Sequence, residues 1–309
     1  MNISITGGLG FIGSALGSAL SGAGHGVRLV DICDHGPVSG NDYLQGSVLD
    51  ADDCHAACEG MNVVVHCAAM HEASAIAKDP LSSIELNVTG TLNLLHAAIA
   101  TGVKRFVFLS SAKVFGEPAT LPSVESDVAI PQNTYGLSKL ASEYHCHTLQ
   151  AQANIQIVIV RPFSVYGPAQ ELDSGYVGMI LSSLLGNTEL NLPGRPDFIR
   201  DFVYIDDVIR LCSAVVTADL PGITIFNAGS GKQTSLRELL VLAAKISGVD
   251  LDGHYRVPGA GTLLRMQACM KHAEAKLGYR PKYDLGEGLA ETIDWFLRNR
   301  LVAGKVAGK

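Results

Sequence analysis

Seven cysteines are scattered along 309 residues without one Cys-x-x-Cys pair, and that odd, patternless set argues against a disulfide framework. Histidine and cysteine meet at Cys54-His55 and at His145-Cys146-His147. Adjacent residues on a helix point in different directions and cannot readily share one ion, so no metal site is expected. A basic tract is missing as well. With a net charge of −7 and a pI near 5.8, the chain is not expected to bind nucleic acid. No apolar run is long enough to span a membrane, and strand-like residues begin at Asn2 where a leader would carry its charge. The expectation is a cytoplasmic protein with no membrane partner. Neither an internal repeat nor a low-complexity linker divides it.

What the chain does have is apolar bulk, 47% of its residues, enough for a large core in two lobes. Apolar runs at 2–6, 27–31, 62–67, 105–110 and 155–160 alternate with helix-like segments. That alternation predicts an α/β fold with a Rossmann-type, doubly wound parallel sheet. After Pro162 the punctuation changes, with Pro168, Gly175, Gly186, Pro193, Gly194 and Pro196 separating shorter elements. Residues 1–163 are therefore read as the nucleotide-binding domain, with 203–208 and 223–228 returning to its sheet. Residues 164–202 and 229–309 form the smaller substrate lobe in this reading. A site belongs between the lobes, at the carboxyl ends of the strands.

Two local patterns carry chemistry. The first strand runs into Gly7-Gly8-Leu9-Gly10-Phe11-Ile12-Gly13 and then a helical stretch. Glycines at 7, 10 and 13 permit a tight turn, close backbone approach to a pyrophosphate, and close packing of helix on strand. The helix start then offers free N–H groups to the phosphates. About eighteen residues later Val27-Arg28-Leu29-Val30 ends in Asp31, placed to accept hydrogen bonds from an adenosine ribose. A carboxylate there repels a 2′-phosphate, and Ile32 follows it instead of an arginine, so NAD is expected over NADP. The second pattern is Tyr135-Gly136-Leu137-Ser138-Lys139, which sets a phenol and an ammonium one turn apart on one helix face. A fixed lysine charge favours the phenolate over the phenol.

With both patterns and Ser111 in view, the chain resembles the extended short-chain dehydrogenase/reductase family, in particular its NAD-dependent nucleotide-sugar epimerases and dehydratases. His66-Cys67-Ala68-Ala69 is similar to the family's fourth-strand end beside the nicotinamide, and Asn87-Val88-Thr89-Gly90-Thr91 to its helix-start signature. Leu109-Ser110-Ser111-Ala112-Lys113-Val114-Phe115-Gly116 is similar to the segment carrying the catalytic serine or threonine. Two later signatures match at Arg161-Pro162-Phe163-Ser164 and Arg200-Asp201-Phe202-Val203. The resemblance implies that Ser111, Tyr135 and Lys139 are catalytic: Tyr135 takes a hydroxyl proton and Ser111 holds that oxygen. Lys139 would bind the nicotinamide ribose and depress the tyrosine pKa, with Asn87 in support. The implied cofactor contacts also include Gly7, Gly10, Phe11, Ile12, Gly13, Asp31, Ile32, Ser47, Val48, Cys67, Ala68, Ala69 and Pro162.

Subfamilies diverge after the first hydride step. In the 4,6-dehydratases an Asp-Glu pair comes directly after the serine or threonine, because elimination needs a general acid and a general base. Here Ala112-Lys113 stands in that place; a methyl group cannot move a proton, and a lysine has the wrong charge for the carboxylate's part. The expectation is a nucleotide-sugar epimerase, acting at C4 through a keto intermediate. The Ser-x-Lys-Val run is also similar to the family's 4-keto-sugar reductases, which keeps that alternative open. A plain structural account has Lys113 in solvent or paired with Glu117. A non-catalytic NAD-binding protein is a third reading; it predicts damage to the Ser/Tyr/Lys set, and all three positions are filled.

Toward the substrate, Arg200 matches the arginine that clamps a nucleotide diphosphate, a task suited to the guanidinium fork. A second family arginine begins an Arg-Pro-Gly run; here the order is Arg256-Val257-Pro258-Gly259, and Arg265 is the residue that could compensate. Ser164, Ser47 and Cys269 depart from a common asparagine and two common aspartates, so UDP-hexose is not implied as substrate. His71, with Glu72 and Ser74, joins Lys113 among residues expected to line the sugar pocket. The resemblance also implies a homodimer through helices near 83–101 and 135–152, with Leu92, Leu95, Leu140 and Tyr144 as candidate contacts.

Overall fold

The computed structural model describes residues 1–34, 41–172, 174–186, 190–191, 197–250, 255–256 and 265–306. Seven strands form one wholly parallel sheet: β1 (Asn2–Thr6), β2 (Gly26–Asp31), β3 (Asp42–Gln45), β4 (Val63–His66), β5 (Arg105–Leu109), β6 (Gln156–Pro162) and β11 (Ile223–Ala228). Between β6 and β11 lie β7 (Ser164–Tyr166), β8 (Leu190–Asn191), β9 (Ile199–Arg200) and β10 (Phe202–Tyr204), and after β11 come β12 (Thr234–Ser235) and β13 (Tyr255–Arg256). The main sheet runs β11-β6-β5-β4-β1-β2-β3. The crossover order reverses at β1, and an open parallel sheet binds its ligand at such a switch point.

Helices cover both faces. Successive strand residues point to opposite sides, so Ile3, Ile5, Val65 and Val107 pack with Leu16 and Leu20 of α1 (Phe11–Gly22). Val64, Phe106 and Ile157 face the other way, onto Cys54 and Ala57 of α2 (Ala51–Cys58). Three helical pieces follow β4: α3 (Ala73–Lys78), α4 (Pro80–Ile84) and α5 (Gly90–Ala100). Helix α6 (Thr134–Gln150) carries the tyrosine and lysine, and α7 (Gly175–Gly186) belongs to the later part of the chain. Helix α8 (Ile205–Thr217) joins α1 on its face through Val208, Leu211 and Val215. The chain closes with α9 (Leu236–Ser247), α10 (Lys271–Leu277) and α11 (Leu285–Val306).

Three features differ from the sequence reading. Residues 203–208 do not return to the main sheet: β10 pairs with β7, and Ile205 begins α8. The outer edge of β6 is already taken by β11, in register Phe226↔Val160, while Ile205, Val208, Leu211 and Val215 recur at helical spacing. Strand β3 escaped notice because Asp42-Tyr43-Leu44-Gln45 has no apolar run; it is an edge strand, tied to β2 by Arg28 Nε donating to Asp42 Oδ2 at 2.7 Å. The helix expected near 83–101 starts at Pro80 and passes through a π-helical turn at Glu85–Thr89 before α5. Leu95, a candidate dimer contact, is wholly buried in the core of its own subunit.

Candidate active site

At the end of β1 the chain turns through Gly7, whose φ of +65° is a conformation that side chains resist. A Cβ on Gly7 would lie 2.7 Å from Ala68 N, and one on Gly13 would lie 2.1 Å from Gly7 O. Both contacts are with rigid backbone, so these two glycines let the turn close on the end of β4 and on the first turn of α1. Gly10 caps α1 with no side-chain hydrogen bond, and Phe11 and Ile12 follow half-buried. Asp31, at the end of β2, accepts from Leu9 N at 3.0 Å and from Ile32 N at 2.9 Å, which fixes its carboxylate beside the turn. Ile32 is exposed. Ser47 N donates to Asp53 Oδ2 at 2.8 Å, and Val48 is buried against Gly90. Cys67 N donates to Thr6 O at 3.0 Å and leads into the half-buried Ala68 and Ala69. Burial pushes the Cys67 thiol up to about 12, so it remains protonated.

Ser111 ends the segment after β5 and caps a 3₁₀ turn, Ala112–Phe115, its Oγ accepting from Lys113 N at 3.1 Å. Its own hydroxyl proton is left to donate elsewhere. Asn133 caps α6 by accepting from Gly136 N at 2.8 Å, which starts the helix immediately ahead of Tyr135. One turn on, the buried Lys139 donates to Leu109 O at 2.7 Å, with its Nζ 4.7 Å from the Phe108 ring centroid and 5.9 Å from that of Tyr135. Burial lowers Lys139 to about 8. The expected depression of the tyrosine by Lys139 does not prevail: withdrawal from water holds Tyr135 above the ordinary phenol range.

Asn87 joins the parts. From within the π-helical turn its Oδ1 accepts from Met70 N at 2.8 Å, and its Nδ2 donates to Met70 O at 3.0 Å and to Ser138 Oγ at 3.0 Å. The loop beyond Ala69 is thereby tied to the helix residue next to Lys139. Beyond Pro162, at the end of β6, Ser164 N donates to Asp201 O at 3.0 Å. Arg200 is buried, its guanidinium 5.0 Å from the Phe198 ring centroid and 5.5 Å from that of Tyr176. Arg265, which is exposed, bridges Ile199 in the backbone and so stands one position from Arg200. His71 is exposed just past β4, and surrounding protein lowers its pKa. The side chain of Arg256 and residues 257–259 lie outside the described residues.

Comparison with known proteins decides the family. The model of the NAD-dependent epimerase/dehydratase family matches residues 3–229. The chain belongs to that family. The UDP-glucose 4-epimerase of Mycolicibacterium smegmatis is 31% identical over 97% of this chain and 99% of its own length. A solved UDP-glucose 4-epimerase from Thermotoga maritima, bound to UDP-glucose, is 29% identical with a TM-score of 0.90, covering 97% of this chain and 100% of its own. A dTDP-glucose 4,6-dehydratase of Streptomyces antibioticus is 29% identical over 97% of this chain and 93% of its own length.

This member of the NAD-dependent epimerase/dehydratase family is an extended short-chain dehydrogenase/reductase, an enzyme whose cofactor is NAD. The glycine turn fits that cofactor, because a side chain at 7 or 13 would strike backbone and the α1 N-terminus is capped by no side chain. Sequence reasoning missed a buried network beneath it. Glu143, one turn past Lys139, takes Arg161 Nε at 3.0 Å and Arg161 Nη2 at 2.6 Å, and also accepts from Ser110. That bidentate pair bolts α6 to β6 and to the residue before Ser111. The spacing of Glu143 from Lys139 was the available signal, together with an arginine inside a buried strand. Asp201 is the other omission: it accepts from Ser230 N, Ser230 Oγ, Gly231 N and Ala268 N, anchoring the residue after Arg200.

Proposed function

We propose that the protein is a nucleotide-sugar epimerase that inverts C4 through a transient 4-keto intermediate. The observation that carries this reading is that Lys113 and Lys139 lie 5.2 and 5.9 Å from the Tyr135 ring centroid beside the turn that Ser111 caps, with Ala112 and Lys113, not two carboxylates, following the serine. Bound NAD supplies a reversible acceptor for hydride. Tyr135, once ionised against its burial with the help of the neighbouring ammonium groups, takes the hydroxyl proton as hydride leaves the same carbon, and Ser111 donates a hydrogen bond to that oxygen. Lys139, held by Leu109 O, keeps further N–H groups for the cofactor ribose. The ketone would then turn, Tyr135 giving its proton back to the oxygen as hydride returns to the other face of the carbon, with no net oxidation. Elimination of water lacks its acid and base in the Ala112-Lys113 pair.

Arg200 and Arg265 are the proposed diphosphate contacts, and His71, Lys113 and Ser164 the proposed sugar contacts. The cofactor residues keep the roles given by the family pattern. Residues 1–163 with Ile223–Ala228 form the nucleotide-binding lobe in this proposal, and most of the remainder the substrate lobe. Two copies associate through α4 and α6, where Leu81, Ile84, Leu137 and Tyr144 are exposed apolar side chains. Among the described residues no helix is long and apolar enough to cross a membrane, and a cytoplasmic location is part of the proposal.

The test is to incubate the purified protein, with no cofactor added, with UDP-, dTDP- and GDP-sugars and to follow stereochemistry by NMR. Interconversion of a C4 pair is expected. Failure there, with NADH oxidised when a nucleotide-linked 4-keto sugar is supplied, makes the protein a 4-keto-sugar reductase instead.

A further inference from the structure

Tyr135 has a second ammonium beside it. Lys113 Nζ lies 5.2 Å from the Tyr135 ring centroid, closer than the 5.9 Å of Lys139. The backbone fixes this neighbour: a Cβ on Gly136 would come within 2.5 Å of Lys113 O, so the residue after Tyr135 must be glycine for the 3₁₀ turn to sit against α6. Ser111 Oγ holds the same residue by its N–H. The position of Lys113 is thus set by both of the other catalytic segments.

Among the described residues, Lys113 has no ion-pair partner, and Glu117 does not take that part. The charge is costly to keep there, because the surroundings draw water away and Arg200 adds like charge; both lower the lysine's pKa. A cation held without an anion, over a ring that must be an anion to take the substrate's proton, has its counter-charge in the reactive form of the site itself. We propose that the Lys113 ammonium acts on catalysis through Tyr135, favouring its phenolate jointly with Lys139.

Other charges reach this corner. Glu143 faces Lys139 from within α6. His71 lies in the field of Lys113, Lys139, Glu72 and Glu171, and Glu117 faces Arg200. The carboxylates oppose the effect, but each is paired in this corner with a cation or the imidazole, whereas Lys113 sits 5.2 Å from the Tyr135 ring centroid. At this separation a unit charge shifts a phenol by about one to two pH units at an intermediate effective dielectric constant.

The inference rests on Tyr135 being the proton acceptor, so its test reads the tyrosine without turnover. The NAD-loaded protein is titrated by tyrosinate absorbance as the difference between wild type and Tyr135→Phe, then again with Lys113→Met and Lys113→Arg in both backgrounds. Lys113→Met is expected to raise the Tyr135 titration by about one to two pH units, and Lys113→Arg to leave it near wild type. The acidic limb of the kcat/KM profile, which reports the same ionisation, moves with it. An unmoved titration in Lys113→Met overturns the proposal; if KM rises alone, Lys113 serves the substrate instead. Full turnover by Tyr135→Phe would sink the epimerase mechanism, whatever the titration shows.

Discussion

In the proposed mechanism Ser111 and Tyr135 divide the work at the level of single atoms. The serine's N-capping bond to Lys113 N uses its acceptor side and leaves its proton for a substrate oxygen, so Ser111→Ala is expected to lower kcat about 10²- to 10³-fold with little change in KM. Tyr135→Phe removes the proton acceptor itself and should cost about 10³-fold or more. Steady-state kinetics on the substrate found by NMR checks both, and comparable activity in either variant removes that residue from the mechanism. Gly13 offers a test that needs no turnover. A methyl group there meets Gly7 O at 2.1 Å, so Gly13→Ala should purify with little or no NAD, measured by releasing and quantifying the nucleotide.

At the scale of elements, buried polar contacts hold neighbouring segments in register. His66, in β4, has Nδ1 2.7 Å from Thr6 Oγ1 and Nε2 3.0 Å from Thr91 Oγ1, linking β1, β4 and α5. Thr91 Oγ1 donates to Asn87 O at 2.6 Å, so it accepts from His66, which makes Nε2 the protonated nitrogen. Burial lowers His66 from 6.5 to about 3. The unfolded chain therefore takes up a proton that the folded chain refuses between these two values. The resulting stability is complete above 6.5 and is lost as pH falls, by about 1.4 kcal/mol per pH unit inside the window. Urea midpoints measured at several pH values should fall less steeply with acid in His66→Asn; an unchanged slope would clear this histidine of the effect.

For the whole molecule, the informative surface is the apolar strip on α4 and α6. Leu81 is 77% exposed and Tyr144 67%, and two such faces can cover one another. Leu81→Glu combined with Tyr144→Glu is expected to yield a folded monomer in sedimentation velocity where the unaltered protein sediments as a dimer. If both sediment alike, the interface lies elsewhere. The sheet's edge strands show why lobes are harder to assign than layers. β11 joins β6 from far along the chain, while β10, nearer in sequence, pairs with β7 instead.

Residue order alone was enough for the parallel sheet and the glycine turn, and it put forward Asp31 and the Ser111, Tyr135 and Lys139 set as site residues. Each rests on a short local pattern: buried strands read as unbroken apolar runs, and a turn or a helix face is defined within about seven residues. Partners distant in sequence could not be read that way. The bond of Asn87 to Met70 and Ser138, the pairing of Glu143 with Arg161, and the four donors on Asp201 join separate segments. Lys113 shows the same division. Its sequence position suggested the sugar pocket, solvent or Glu117, and only packing of the 3₁₀ turn on Gly136 set its ammonium over the tyrosine ring. Local chemistry is written in neighbouring residues; what that chemistry faces is fixed by which distant backbone can approach, and that is decided by tertiary packing.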